Sequence, residues 1–260
     1  MYQDFAEIYD RLMSDVDYEK WAEYYVRLLS VCGIHEGKIC ECACGTGSLT
    51  VPLYRAGFQM TGVDLSREML WQAAQKARKQ GITIPFVQQD MRYLKLHKPV
   101  DAVLATCDGV NYLLENKDAE RFFSAAYNAL KSGGVLVFDV STPYKLQHVL
   151  CEQGLRCEDS DEITYIWQNT WNEKSQMVDM DLCFFVKDTD GKYHRIDESQ
   201  QQRAFDKQTL KTLLQQAGFC MIDFFGDRTL VKPTEKTLRW HVVATKPKEI
   251  EQMEGNVGND

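Results

Sequence analysis

Between residues 38 and 138 the chain repeats one arrangement: a short, almost continuously apolar run, a turn, then a stretch with helical spacing. Runs at 38–43, 58–63, 83–88, 100–105 and 135–138 read as strands. Strands that are apolar throughout, rather than alternating, need cover on both faces, and interleaved helices supply it. The pattern predicts a doubly wound α/β domain around a mostly parallel sheet. Local signals agree. Ser66 is a good N-cap for a helix over 67–80, in which Met69, Leu70, Ala73, Ala74 and Ala77 make one apolar face before Gly81. A helix through Leu49, Leu53 and Ala56 stops at Gly57, and one over 118–130 turns Phe122, Phe123, Ala126 and Leu130 inward. Ahead of the first strand, residues 5–32 form two helical stretches, with Phe5, Ile8, Tyr9 and Leu12 on one face of the first.

From about residue 150 the pattern becomes polar and alternating. Segments 163–171, 176–187 and 192–204 have a period of two, as in Val178, Met180, Leu182 and Phe184, and Asp190-Gly191 marks a hairpin. An inserted antiparallel β lobe with one wet face is expected over 150–204. Trp167, Trp171, Phe184 and Phe185 in it either form the sheet core or help to close a pocket. Asp206 caps a helix over 207–217, and strands at 219–225 and 238–245 complete a core made of 1–149 and 205–247. The polar stretch 248–260 is expected to be a disordered tail.

Composition narrows the functional classes. The 30 Lys and Arg against 38 Asp and Glu give a formal net charge of −8, which disfavours nucleic acid as a partner. No apolar run approaches the ~20 residues of a membrane helix, so no membrane partner is expected. Met1-Tyr2-Gln3-Asp4 lacks the basic start of a signal peptide. Nine cysteines, an odd number, suit reduced thiols and a cytoplasmic location. Cys40, Cys42 and Cys44 alternate, so on a strand their sulfurs would share a face. Zinc sites pair cysteines at other spacings with a second cluster elsewhere, and His35, His97, His148, His194 and His241 are scattered; no metal site is expected.

The chemistry concentrates at strand ends. Glu41-Cys42-Ala43-Cys44-Gly45-Thr46-Gly47 occupies a strand-to-helix junction, where glycines let backbone amides approach a ligand. Asp64 ends the next strand, where an acid can accept two hydrogen bonds from ribose hydroxyls. Asp90 ends the third, where it can meet an adenine amino group. Either aspartate alone could be a simple cap or turn former. Together with the glycine turn they fit an adenosine lying across the strand tips. A nicotinamide or flavin site would favour Gly-x-Gly-x-x-Gly, but Thr50 stands at the third glycine. A phosphate-binding loop fails for want of Gly-Lys-Ser/Thr. S-adenosyl-L-methionine carries no phosphate and makes neither demand.

The run Glu41–Gly47, with Val63-Asp64-Leu65-Ser66, Gln89-Asp90-Met91 and Leu130-Lys131-Ser132-Gly133-Gly134, resembles the class I S-adenosylmethionine-dependent methyltransferases over about residues 1–145, with a weaker echo at 204–245. Phe5–Asp10 and Asn111-Tyr112-Leu113 are similar to small-molecule members, such as macrolide aminosugar N,N-dimethyltransferases and glycine N-methyltransferase-like enzymes. The resemblance implies a Rossmann-like, mostly parallel seven-stranded sheet with an N-terminal helical lid, and S-adenosyl-L-methionine as cofactor. It implies that Glu41 anchors the turn and that Gly45 and Gly47 border the methionine part. Asp64 would bind the ribose, Asp90 the adenine amino group and Met91 an adenine edge through its backbone, with Leu65 among the cofactor contacts. Tyr9 would contact the cofactor from the lid, and Cys107 would lie beside the methionine moiety.

The acceptor is less constrained. Thr106-Cys107-Asp108-Gly109 lacks the Asn-Pro-Pro-Tyr type motif of nucleic-acid amino methyltransferases, and Cys107 lacks the second part of a carbon-5 nucleophile site. Tyr9, Asp108 and Asn111 are the candidate catalytic groups, with Tyr112 either beside them or in the core. A small-molecule acceptor is expected, most readily an amine nitrogen, because a hydroxyl would want a base or metal. His148 and His194 are base candidates or ordinary surface histidines. An RNA or protein methyltransferase and a non-catalytic S-adenosylmethionine-binding module are the alternatives, and the expected assembly is a monomer or homodimer.

Overall fold

A computed structural model describes residues 3–248; most of the expected tail lies outside the described residues, as does the side chain of Phe5. Two helices lead, α1 (Gln3–Leu12) and α2 (Tyr18–Val31). The alternation follows as β1 (Lys38–Cys42), α3 (Thr50–Arg55), β2 (Gln59–Asp64), α4 (Arg67–Lys79), β3 (Phe86–Gln88), β4 (Val100–Ala105), α5 (Asn116–Ala129) and β5 (Leu130–Ser141). Short 3-10 turns at Met91–Tyr93 and Gly109–Tyr112 lie just past the tips of β3 and β4. A π-helical turn at Lys145–Leu150 leads to β6 (Arg156–Asp159), β7 (Ile163–Asn172), β8 (Met177–Lys187) and β9 (Tyr193–Arg203). Helix α6 (Lys207–Gln216) and strands β10 (Cys220–Gly226) and β11 (Arg239–Thr245) close the chain.

The main sheet has seven strands in the order β10-β11-β5-β4-β1-β2-β3. Pairs from β5 to β3 are parallel, and β11 is antiparallel to both of its neighbours. Chain direction across the sheet reverses between β1 and β4, which is where open α/β sheets bind ligands at the carboxyl ends of their strands. Both faces are covered, as the unbroken apolar runs require. On one, Phe122 and Phe123 of α5 and Leu210 of α6 pack on Cys40, Cys42, Val103 and Phe138. On the other, Tyr25, Leu28 and Leu29 of α2 pack with Leu53 on Ile39, Leu104 and Val137. Cys40 and Cys42 do share a face, the one under α5, whereas Cys44 belongs to the turn beyond β1.

Antiparallel β6–β9 form a second sheet of four strands. One end of its inner face, with Ile163, Phe184, Val186 and Ile196, buries Ala6 and Ile8 of α1 and Met69 of α4. The other end, with Val178 and Met180, packs on Leu146 and Ala204. No helix among the described residues is long and apolar enough to cross a membrane.

Ser66 accepts the Met69 N–H at 3.2 Å and Asp206 the Thr209 N–H at 2.8 Å, the two expected caps. Some boundaries differ. Ala74 is exposed, because the buried stripe of α4 follows Met69, Leu70, Ala73 and Ala77. Strand β3 is shorter than expected, since Pro85 has no N–H to extend the ladder. Leu130 opens β5 instead of ending α5. Strand β6 was not expected; it is four residues long and mostly exposed, so it carries no apolar period.

One glycine sets how tightly the tips converge. A Cβ on Gly62 of β2 would lie 2.5 Å from the Phe86 ring and 2.9 Å from the Cys44 sulfur. Gly62→Ala should therefore lower stability by about 1–3 kcal/mol through overpacking, read as a lower urea midpoint with an unchanged slope.

Candidate active site

The turn after β1 uses left-handed backbone at Ala43 (φ 52°), Gly45 (φ 53°) and Gly47 (φ 70°). A Cβ on Gly47 would sit 3.1 Å from that of Ala73 on α4, so this glycine also admits the helix. A Cβ on Gly45 would meet nothing within 4 Å, so the turn is open at the carboxyl edge of the sheet. Beneath it the buried Glu41 carboxyl accepts hydrogen bonds from the Thr50 hydroxyl at 2.5 Å and the Thr106 hydroxyl at 2.8 Å. Burial pushes its pKa up to about 7 against the pull of those two hydroxyls. Thr50, at the missing third glycine, thus ties the start of α3 to the acid.

Asp64 at the end of β2 accepts the Gly45 N–H and the Ser66 N–H, each at 2.8 Å. Burial raises its pKa against those backbone bonds. Leu65 beside it is exposed. At the tip of β3, Asp90 accepts the Arg92 N–H at 2.9 Å and grips the Arg92 guanidinium with both oxygens, at 2.6 to 3.0 Å. That pair holds its carboxyl below the usual range. Arg92 also reaches Asp118 at 3.1 Å. A ligand amino group would share Asp90 with Arg92 instead of meeting a bare acid. Met91 packs against the α5 side of the core.

The tip of β4 is an ionic knot. Cys107 and Asp108 are both left-handed, and their N–H groups donate to buried Asp139 of β5 at 3.2 and 3.1 Å. Arg239 of β11 binds Asp108 through two bonds of 2.7 and 2.8 Å and Asp139 at 2.7 Å. The Ser141 hydroxyl donates to Asp108 at 2.7 Å and receives Lys145 at 2.9 Å. Burial would raise the Asp108 pKa, but Arg239 and Lys145 hold it well below the ordinary range. Asn111 is wholly buried: its amide donates to the Ser141 carbonyl at 3.1 Å and the Arg203 carbonyl at 2.8 Å, and its oxygen accepts the Ser141 N–H at 2.9 Å. Two of the three candidate catalytic groups are therefore committed to structure, Asp108 to an ion pair and Asn111 to backbone. Their partners lie 131 and 92 residues away, which no local motif reveals.

Tyr9 stands differently. It is hydrogen-bonded to Tyr18 at the start of α2, and both phenols lie near Cys107. Burial raises the pKa of all three groups. Sequence reasoning missed Tyr18, and it missed the clasp that seats α1. Asp10 accepts the Thr46 hydroxyl at 2.6 Å and the Ser48 hydroxyl at 3.2 Å, and pairs with Lys76 of α4 at 2.7 Å. Tyr112 is partly exposed, not core, and donates to Gln200 of β9 at 2.7 Å. His148 and His194 sit at the surface, beside Glu152 at 3.2 Å and Asp188 at 3.0 Å. Trp167 and Trp171 pack on the Leu146 end of the lobe, and Phe184 is in its other cluster.

Residues 39–134 match a family model described as a methyltransferase domain. A Geobacillus sp. (strain WCH70) protein, named as a methyltransferase with no acceptor in its name, is 38% identical over 246 residues, covering 94% of this chain and 99% of its own. The crystal structure of an S-adenosylmethionine-dependent methyltransferase from Clostridium acetobutylicum ATCC 824 superposes with a TM-score of 0.84 at 32% identity, over 95% of this chain and 99% of that one. The chain belongs to the S-adenosylmethionine-dependent methyltransferases. A glycine/sarcosine N-methyltransferase of Halorhodospira halochloris is 28% identical over 193 residues, 73% of this methyltransferase and 68% of that protein. S-adenosylmethionine is the methyltransferase's cofactor, and the open turn at Gly45 next to the Asp64 carboxylate suits a ligand with a ribose and no phosphate.

In this methyltransferase Asn111→Ala would leave the Ser141 N–H and two backbone carbonyls without their partner. Each buried orphan costs about 1–3 kcal/mol, so the variant should unfold at clearly lower urea concentration. An Asn111→Ala protein of full stability that had lost turnover would overturn the structural role.

Proposed function

We propose that the methyltransferase methylates an amine nitrogen of a small molecule, in the cytoplasm. One observation carries the reading: at the β4 tip and lid, Arg239 locks the Asp108 carboxylate and backbone groups hold the Asn111 amide, while burial favours the protonated forms of Tyr9, Tyr18 and Cys107. A hydroxyl acceptor must lose its proton as it attacks, whereas an amine brings its own lone pair. When bound, the cofactor supplies a sulfonium methyl already activated for in-line displacement. The protein's task is then alignment and exclusion of water, worth up to ~7–11 kcal/mol for well-oriented reactants.

The chain's residues divide accordingly. Asp64 takes the ribose hydroxyls, Gly45 and Gly47 border the methionine part above Glu41, and Cys107 flanks it. Asp90, shared with Arg92, takes the adenine amino group, with Met91 and Leu65 along the adenine edge. Tyr9 faces the methyl from the lid. The acceptor lies between Tyr9, the β4 tip and the inner face of the four-stranded lobe. The Halorhodospira relative is named for glycine and sarcosine, both small amines, which supports the nitrogen. Nine free thiols suit a reducing compartment.

Radiolabelled S-adenosylmethionine incubated with the protein and a metabolite extract should label a small product at nitrogen. Label removed by RNase or protease would instead favour a macromolecular acceptor. Asp64→Ala should weaken cofactor binding in calorimetry by about 10- to 100-fold, the worth of hydrogen bonds to a charged group; unchanged affinity would remove Asp64 from the ribose role.

A further inference from the structure

Glu198 of β9 is 4% exposed, and its Oε1 has no hydrogen-bond partner among the described residues. A buried carboxylate oxygen without a partner is unfavourable and calls for an explanation. Its position supplies one. The strand register sets Glu198 opposite Leu182 of β8, and Leu182 opposite Trp167 of β7. Leu182 borders both apolar clusters of the lobe's inner face, the one that includes Tyr9 and the one that includes Trp167. Glu198 therefore stands at the seam between them. Two residues along the strand, on the same face, Gln200 is held by the Tyr112 hydroxyl, which comes from the turn past the β4 tip.

The strand's own cations are engaged elsewhere. Arg195 points to the opposite face and pairs with Asp197 at 2.8 Å, and Arg203 reaches the Leu114 carbonyl at 3.3 Å. Burial raises the Glu198 pKa, against the pull of the Gln200 amide beside the carboxyl.

We propose that Glu198 is an acceptor-binding residue, whose carboxylate receives the acceptor's amine in its ammonium form and takes up one of its protons, which frees the nitrogen lone pair for the methyl, while Leu182 and Trp167 cover the apolar part next to it. Gln200 and Tyr112 are positioning residues that fix the carboxylate toward the β4 tip. The assignment rests on the amine reading above and adds the group that recognises the amine. It makes the enzyme selective for cationic over neutral acceptors of equal shape.

The test uses the full chain saturated with S-adenosylhomocysteine and two probes of similar shape, benzylamine and benzyl alcohol, titrated by calorimetry at pH 7. Benzylamine should bind at least about tenfold more tightly, and Glu198→Gln should abolish that preference without lowering thermal stability. Equal binding of the two probes, no binding of benzylamine, or a preference intact in Glu198→Gln would each overturn the proposal. The wild-type comparison stands even if the variant misfolds, and Tyr112→Phe should weaken the preference. If extract labelling yields only oxygen-methylated products while the preference still depends on Glu198, the nitrogen reading falls and Glu198 remains. Nitrogen methylation with probe binding blind to charge would do the reverse.

Discussion

A single buried carboxyl holds the carboxyl edge of the main sheet together. Glu41 reaches the start of α3 through Thr50 and the end of β4 through Thr106, so the glycine turn and the neighbouring strand tip are anchored to one group. Such a group is costly to bury unless its oxygens are matched, and here each oxygen has its own hydroxyl. With both ends pinned, the turn between them has little freedom. The Gly45 N–H can then meet Asp64, and the left-handed step at Cys107 begins where Thr106 is fixed.

From that anchor the order passes outward by ions and backbone. Asp139, Asp108 and Arg239 join β4, β5 and β11 just beyond the sheet. A buried ion cluster is a poor source of net stability, because desolvation offsets most of the attraction. Its effect is geometric: it fixes the turn carrying Asn111 and Tyr112. Asn111 in turn holds the end of β9 through the Arg203 carbonyl. Register along β9 is consequential, since a slip of one residue would exchange its inner and outer faces. Ile196, Glu198, Gln200 and Gln202 share one face of β9, in the register that its pairing with β8 and this held end maintain.

Much of this architecture is legible in the chain. Continuous apolar strands and helix caps at Ser66 and Asp206 announce the covered sheet, and period-two stretches announce the lobe. The glycine turn, Glu41 and Asp64 stand together as their spacing along two adjacent parallel strands implies. What escapes is whatever depends on partners distant in sequence. Asp108 and Asn111 read as reactive polar groups at a strand tip, because Arg239 and Arg203 are about a hundred residues away. Asp90 reads as a bare acid although Arg92, only two residues on, occupies it; the side chain's direction, not the spacing, decides. Glu198 gives no signal at all, being one polar residue among many on an alternating strand. Strand β6 and the true edge of α4's apolar stripe were lost to low contrast between exposed and buried positions.

Helix α1 has two faces in use. One end clasps the glycine turn through Asp10, Thr46, Ser48 and Lys76, while Ala6 and Ile8 are buried under the lobe. On the sites proposed above, the same short helix walls both the cofactor compartment and the acceptor compartment. Any ligand that steadies it in one compartment prepares it for the other, and linkage makes that influence reciprocal. On that reading the two binding events are coupled through a shared wall, in addition to the direct contact that methyl transfer itself requires.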